Sequence, residues 1–140
     1  MNMKWILVGV DESAPAEHAA RFAAGLAASA GAGVRLVYVS VPNLLPEHPY
    51  AKLVKEMAEE EARYVQGFLG RVAAAITGCP VETRHATGPP AESFSDLADA
   101  PDVWFAAVGS RGRNAVSRVL LGSFADRVVH VCRKPVLVVR

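Results

Sequence analysis

At 140 residues, 51% of them hydrophobic and 21% charged, the chain is long enough for one domain around a sizeable core and is expected to fold rather than stay disordered. A formal net charge of +1 gives no general case for nucleic acid or a membrane surface as partner. No apolar run approaches the roughly 20 residues that a membrane span needs.

Trp5 to Val10 is a short continuous apolar run, as in a strand buried on both faces. It stops at Asp11, too short for a signal peptide, so the expected location is the cytoplasm. Ser13 fits a helix N-cap, Pro15 the first turn, and Glu17 the positive end of the dipole. Ala14 to Ala30 is then expected to be a helix closed by Gly31 or Gly33. Its alanine content suggests close packing on a sheet, with Phe22 and Leu26 spaced four apart.

Val34 to Val41 reads as the second strand, and Pro42, Pro46 and Pro49 then break regular structure, giving a loop. From about Ala51 to Thr77 the pattern is helical, with Leu53, Met57, Val65, Phe68, Leu69, Val72 and Ile76 at three- and four-residue steps. Glu56, Glu59, Glu60 and Glu61 lie in its first half and read as a solvated face. Val81 to Ala86 alternates like a strand at an edge, Gly88-Pro-Pro90 turns, and Ala91 to Ala98 is a short helix with Phe94 and Leu97 inward. Val103 to Val108 is the fourth strand, Ser123 to Cys132 a helix with Phe124, Val128 and Val131 on one face, and Pro135 to Val139 a terminal strand.

This alternation predicts an α/β fold, a five-stranded parallel sheet with helices on both faces. If the order is 3-2-1-4-5, the ligand crevice lies where the order reverses, outside the carboxyl ends of the first and fourth strands. Those ends are Gly9-Val10-Asp11 and Val108-Gly109. The fourth strand exits into Gly109-Ser110-Arg111-Gly112, and Gly122-Ser123 opens a helix nine residues later. Glycine permits close backbone approach, and a helix start offers free N–H groups to an anion. The pattern therefore suggests a phosphate cradle. Asp11 could bond a ribose hydroxyl, hold a metal on phosphates, or only cap its turn. Arg111, Arg113 and Arg118 could assist an anion, within a basic group that also includes Arg127, Arg133 and Lys134.

Other chemistry is not indicated. The P-loop and the dinucleotide fingerprint are missing, and His18, His48, His85 and His130 are scattered. Cys79 and Cys132 form no close-spaced metal or redox motif.

Gly109-x2-Gly112-x9-Gly122-Ser123 resembles the G-2x-G-9x-G-[ST] motif of the universal stress protein family, in its nucleotide-binding branch. The likeness extends to Ile6-Leu-Val-Gly-Val-Asp11-x-Ser13, Val37-Tyr-Val39, Gly88-x-Pro90-Ala91 and Lys134-Pro-Val-Leu-Val-Val139. It implies a single Rossmann-like domain over 1–140, of the adenine nucleotide alpha hydrolase-like type. It also implies a homodimer through Val136–Val139 and ATP at the strand ends. Asp11 would contact ribose or phosphate, and would hold Mg²⁺ if the ion came with ATP. Val39 would lie against adenine. Gly109, Gly112, Gly122, Ser123 and the Phe124 backbone would wrap ribose and phosphates, with Gly9, Val10, Val108, Ser110 and Arg111 completing the site. The implied function is a nucleotide-dependent stress-response or signalling module. A slow ATPase or phosphotransferase, or a dimerisation module with an empty pocket, are the alternatives. The resemblance brings at most weak ATP hydrolysis, and no catalytic residue is assigned.

Overall fold

A computed structural model describes residues 2–111 and 121–140. Among these residues nine elements alternate: β1 (Trp5–Gly9), α1 (Ala14–Ala30), β2 (Gly33–Ser40), α2 (Glu47–Ala74), β3 (Val81–Thr87), α3 (Pro90–Ala98), β4 (Val103–Gly109), α4 (Ser123–Val131) and β5 (Val136–Val139). All four pairings are parallel, and the order is β3-β2-β1-β4-β5, the one expected from the sequence. The reversal lies between β1 and β4.

Strands buried on both faces need a helical layer on each. Ile6, Val8, Val34 and Leu36 pack on one side with Ala19, Ala20, Ala23 and Ala27 of α1 and with Val65, Phe68 and Leu69 of α2. Leu7, Val37, Ala106 and Val108 pack on the other with Ala91, Phe94 and Ala98 of α3 and Ala125 and Val128 of α4. Burying a side chain the size of Ile6 or Phe94 is worth about 1.5–3 kcal/mol each.

The ends of α1 follow their local signals. Ser13 Oγ accepts from the Ala16 N–H at 3.3 Å, Pro15 sits in the first turn, and Gly31 closes the helix at φ 68°, where glycine is favoured. The buried face of α1 is made entirely of alanines, while Phe22 and Leu26 are exposed. In α2 the backbone of His48, Pro49 and Tyr50 is non-helical, so the regular turns begin at Ala51 as the sequence suggests, and they end at Ala74 rather than Thr77. Leu53 and Met57 keep the helical period but stay exposed, because only the second half of α2 reaches the sheet.

The amino ends of the strands are tied by charge. Arg35 Nη2 lies 2.9 Å from Asp102 Oδ2 and Arg35 Nε 2.8 Å from Glu82 Oε2, while the guanidinium stacks 5.0 Å over the Trp5 ring. At the far edge, the Pro135 and Val139 carbonyls accept from Ala106 and Ser110 of β4 and its exit, at 2.9 and 2.8 Å. Alternation along a strand then directs the N–H and C=O groups of Val136 and Val138 toward the open edge of the sheet.

Candidate functional site

The carboxyl ends of β1 and β4, where the strand order reverses, meet the start of α4. Three hydrogen bonds set this region. The Val10 N–H donates to the Val37 carbonyl at 2.9 Å, holding the exit of β1 to the middle of β2. The Ser110 N–H donates to the Val139 carbonyl at 2.8 Å, holding the exit of β4 to β5. The Gly122 N–H donates to the Ser110 carbonyl at 2.7 Å, so the chain that leaves β4 returns to it where α4 begins. The two halves of the glycine motif are thereby joined in space.

The glycines here are also packing requirements. A Cβ on Gly109 would stand 2.9 Å from the Pro15 carbonyl oxygen, so the exit of β4 lies directly against the first turn of α1. A Cβ on Gly9 would meet the Phe124 ring at 3.0 Å and the Phe94 ring at 3.4 Å. These two rings pack edge to face, 5.6 Å apart, and bring the start of α4 beside the exit of β1. Val39, half-buried, packs into the same α3–α4 layer. Gly9, Gly109, Ser110, Gly122 and Phe124 are therefore brought together, while Val10 is buried on the opposite, α1 side. Gly112, with Arg113 and Arg118, lies outside the described residues.

The two helix starts at the reversal differ. The Ser13 hydroxyl caps α1, and Asp11 Oδ1 accepts from the Ser13 N–H at 2.8 Å, the turn-capping contact considered for this carboxylate. At α4 the N-cap is Gly122, not Ser123, and no side chain caps the helix. Ser123 is the first helical residue and is exposed. The first N–H groups of a helix have no partner within it, and together with the dipole they form an electropositive end.

Several basic side chains of the last third are engaged elsewhere. Arg127 Nε bonds Glu92 Oε1 at 2.7 Å, which holds the Glu92 carboxyl below its usual range. Arg133 Nη1 bonds Asp99 at 3.0 Å, and Lys134 Nζ donates to the carbonyls of Ala100 and Val103. Arg111, at the exit of β4, is half-buried.

Two groupings have no local signature in the sequence. Ser40 Oγ and His85 Nε2 lie 2.7 Å apart at the ends of β2 and β3. Glu12 Oε1 accepts from the hydroxyls of Tyr38 and Tyr64, each at 3.2 Å. Among the described residues no group of three His, Cys, Asp or Glu side chains could hold a metal ion, and no helix is long and apolar enough to cross a membrane.

Comparison with known proteins gives a consistent picture. The model of the universal stress protein family matches residues 3–140. A universal stress protein of Mycolicibacterium smegmatis is 35% identical over 140 residues, covering 96% of this chain and 47% of that protein, so the chain spans about half the length of that relative. One from Thermus aquaticus is 33% identical over 140 residues, covering 98% of each. The universal stress protein from Archaeoglobus fulgidus, solved in complex with dAMP, has the same fold at a TM-score of 0.74 and 24% identity, covering 99% of this chain and 98% of that one.

Proposed function

The chain belongs to the universal stress protein family, and on that premise we propose that it is an ATP-binding stress-response or signalling module that works as a homodimer. One observation carries the reading: the Gly122 N–H bonds the Ser110 carbonyl at 2.7 Å, which sets an α4 start without a side-chain cap on the exit of β4. An anion docked there would meet the N–H groups of the first turn and the positive end of the dipole. The dAMP complex of the Archaeoglobus fulgidus protein supports an adenine nucleotide as the source of that anion.

In this reading Gly109, Gly112, Gly122, Ser123 and the Phe124 backbone hold ribose and phosphates, and Ser110 and Arg111 complete that wall. Asp11, beside Gly9 and Val10, meets the ribose or phosphates, and it would meet Mg²⁺ that came with ATP. Val39 lies against adenine. ATP supplies binding free energy that falls only on the native state, so its occupancy stabilises the fold by mass action and can report nucleotide level to a partner.

The homodimer forms through Val136–Val139. The outward N–H and C=O groups of Val136 and Val138 support this, because an apolar edge strand is covered or paired in a stable protein.

The test is to denature the purified protein and separate the supernatant by anion exchange. Adenine nucleotide in amounts comparable to protein is the expected result. A protein that releases none, and that also binds none on titration with ATP and Mg²⁺, contradicts the reading.

A further inference from the structure

On the face of the sheet opposite Val39, three residues from distant parts of the chain converge on the turn after β1. Glu12 Oε1 accepts from Tyr38 Oη of β2 and from Tyr64 Oη of α2, each at 3.2 Å. The Tyr38 ring also packs edge to face on Phe68 of α2, with centroids 5.8 Å apart. Both contacts are exposed and longer than a typical O–H···O bond, so it is the convergence of two donors on one oxygen, rather than one strong bond, that sets the direction of the carboxylate.

The cluster members flank the residues assigned to the nucleotide. Glu12 stands between Asp11 and Ser13 and shares their tight turn, where the Ser13 N–H bonds Asp11 Oδ1. Tyr38 precedes Val39, and successive strand side chains point to opposite faces. The two are thus adjacent on one strand, Tyr38 facing the α2 side and Val39 the α3–α4 side. Leu53 and Met57 in the first half of α2 are exposed, so that half is anchored by few apolar contacts of its own.

We propose that Glu12, Tyr38 and Tyr64 are positioning residues for the nucleotide site, and that through them α2 responds to its occupancy. The inference rests on the proposed adenine-nucleotide reading and extends it to a helix that reading does not use. The physical route is reciprocal. If the bonds on Glu12 favour the nucleotide-competent turn, bound nucleotide favours those bonds by the same factor.

The experiment titrates ATP into the intact protein and into Tyr64→Phe, Glu12→Gln and the double variant, with Glu59→Gln on the exposed side of α2 as control. Hydrogen exchange of α2 is followed in each with and without ATP. Both single variants are expected to bind about fivefold more weakly or worse. The double variant is expected to bind no more weakly than the worse single, because the residues act through one contact. ATP is expected to slow exchange around Tyr64 in the wild type and in Glu59→Gln but not in Tyr64→Phe, a readout that a loss of stability alone would not produce. Wild-type affinity in both single variants, or ATP protection of α2 that persists in Tyr64→Phe, overturns the inference and leaves nucleotide binding standing. Absence of ATP binding by the wild type overturns the nucleotide reading and this inference together.

Discussion

The backbone of Gly109 lies so close to Pro15 that a Cβ on the glycine would come within 2.9 Å of the Pro15 carbonyl oxygen. The close neighbour is main chain, in the first turn of α1, and cannot rotate away. The first glycine of the motif is thus required by packing before any ligand arrives.

Gly109→Ala is accordingly expected to destabilise the protein in the absence of nucleotide, by about 1–3 kcal/mol as overpacking commonly does. Thermal or urea unfolding of nucleotide-free protein measures it. Gly9→Ala should cost less, since the nearest atoms at 3.0 and 3.2 Å belong to the Phe124 ring, which can shift. Equal stability of Gly109→Ala and wild type would count against the packing argument.

Ser123 should behave in the opposite way. Its side chain is exposed and is not the N-cap of α4, so Ser123→Ala should leave nucleotide-free stability within about 0.5 kcal/mol. In the proposed reading its hydroxyl donates to a phosphate, a bond to a charged group worth about 1.5–3 kcal/mol. Calorimetric titration should show ATP affinity lowered by about tenfold or more, which is that energy expressed as a ratio. A variant that loses stability but keeps its affinity would assign Ser123 to the helix alone.

The Arg35–Asp102 pair predicts a pH dependence. The hydrogen bond from Arg35, opposed by desolvation, holds the Asp102 carboxyl below its usual range, and Asp102 in turn raises Arg35. A carboxyl with a lower pKa in the folded than in the unfolded state contributes stability in full above the ordinary value near 3.9. That contribution disappears as pH falls through the depressed range. Urea midpoints of wild type should fall on acidification below about pH 4, and those of Asp102→Asn should start lower and fall less steeply. Parallel curves would show that the pair does not govern acid stability.

Edge pairing is tested by removing one outward donor. Because the Pro135 and Val139 carbonyls face β4, Val138→Pro removes an N–H that faces the open edge and leaves those bonds intact. Sedimentation should give a dimer of the 14.9 kDa chain for wild type and a monomer for the variant. A wild type that stays monomeric at high concentration removes the dimer from the account.

The fold was legible in the chain because buried strands read as continuous apolar runs and strictly alternate with helical segments, which admits few topologies. The ends of α1 were legible for the same local reason, since Ser13, Pro15 and Gly31 act through backbone geometry close to themselves. Burial was less so. In α1 the alanine content did point to close packing on the sheet, and alanines form its buried face, whereas the exposed first half of α2, with Leu53 and Met57 at core-like spacing, was not distinguishable from the buried second half. The strand ends that frame the site followed from the sheet order, and the start of α4 at Gly122-Ser123 from its local pattern. Pairings between residues far apart in sequence left no trace: Arg35 reaches Asp102 across 67 positions and Tyr64 reaches Glu12 across 52. Periodicity reports which face of an element is apolar, and it is silent on which polar partners the fold brings together.

The central claim is that an anion-bearing adenine nucleotide occupies the junction of Gly109, Ser110 and Gly122. The direct measurement is calorimetric titration of ATP with Mg²⁺ into protein freed of bound ligand by unfolding and refolding, beside Ser123→Ala. Saturable binding of one nucleotide per chain, weakened in the variant, is the predicted result. Refolded protein with native thermal stability that takes up no nucleotide would contradict it.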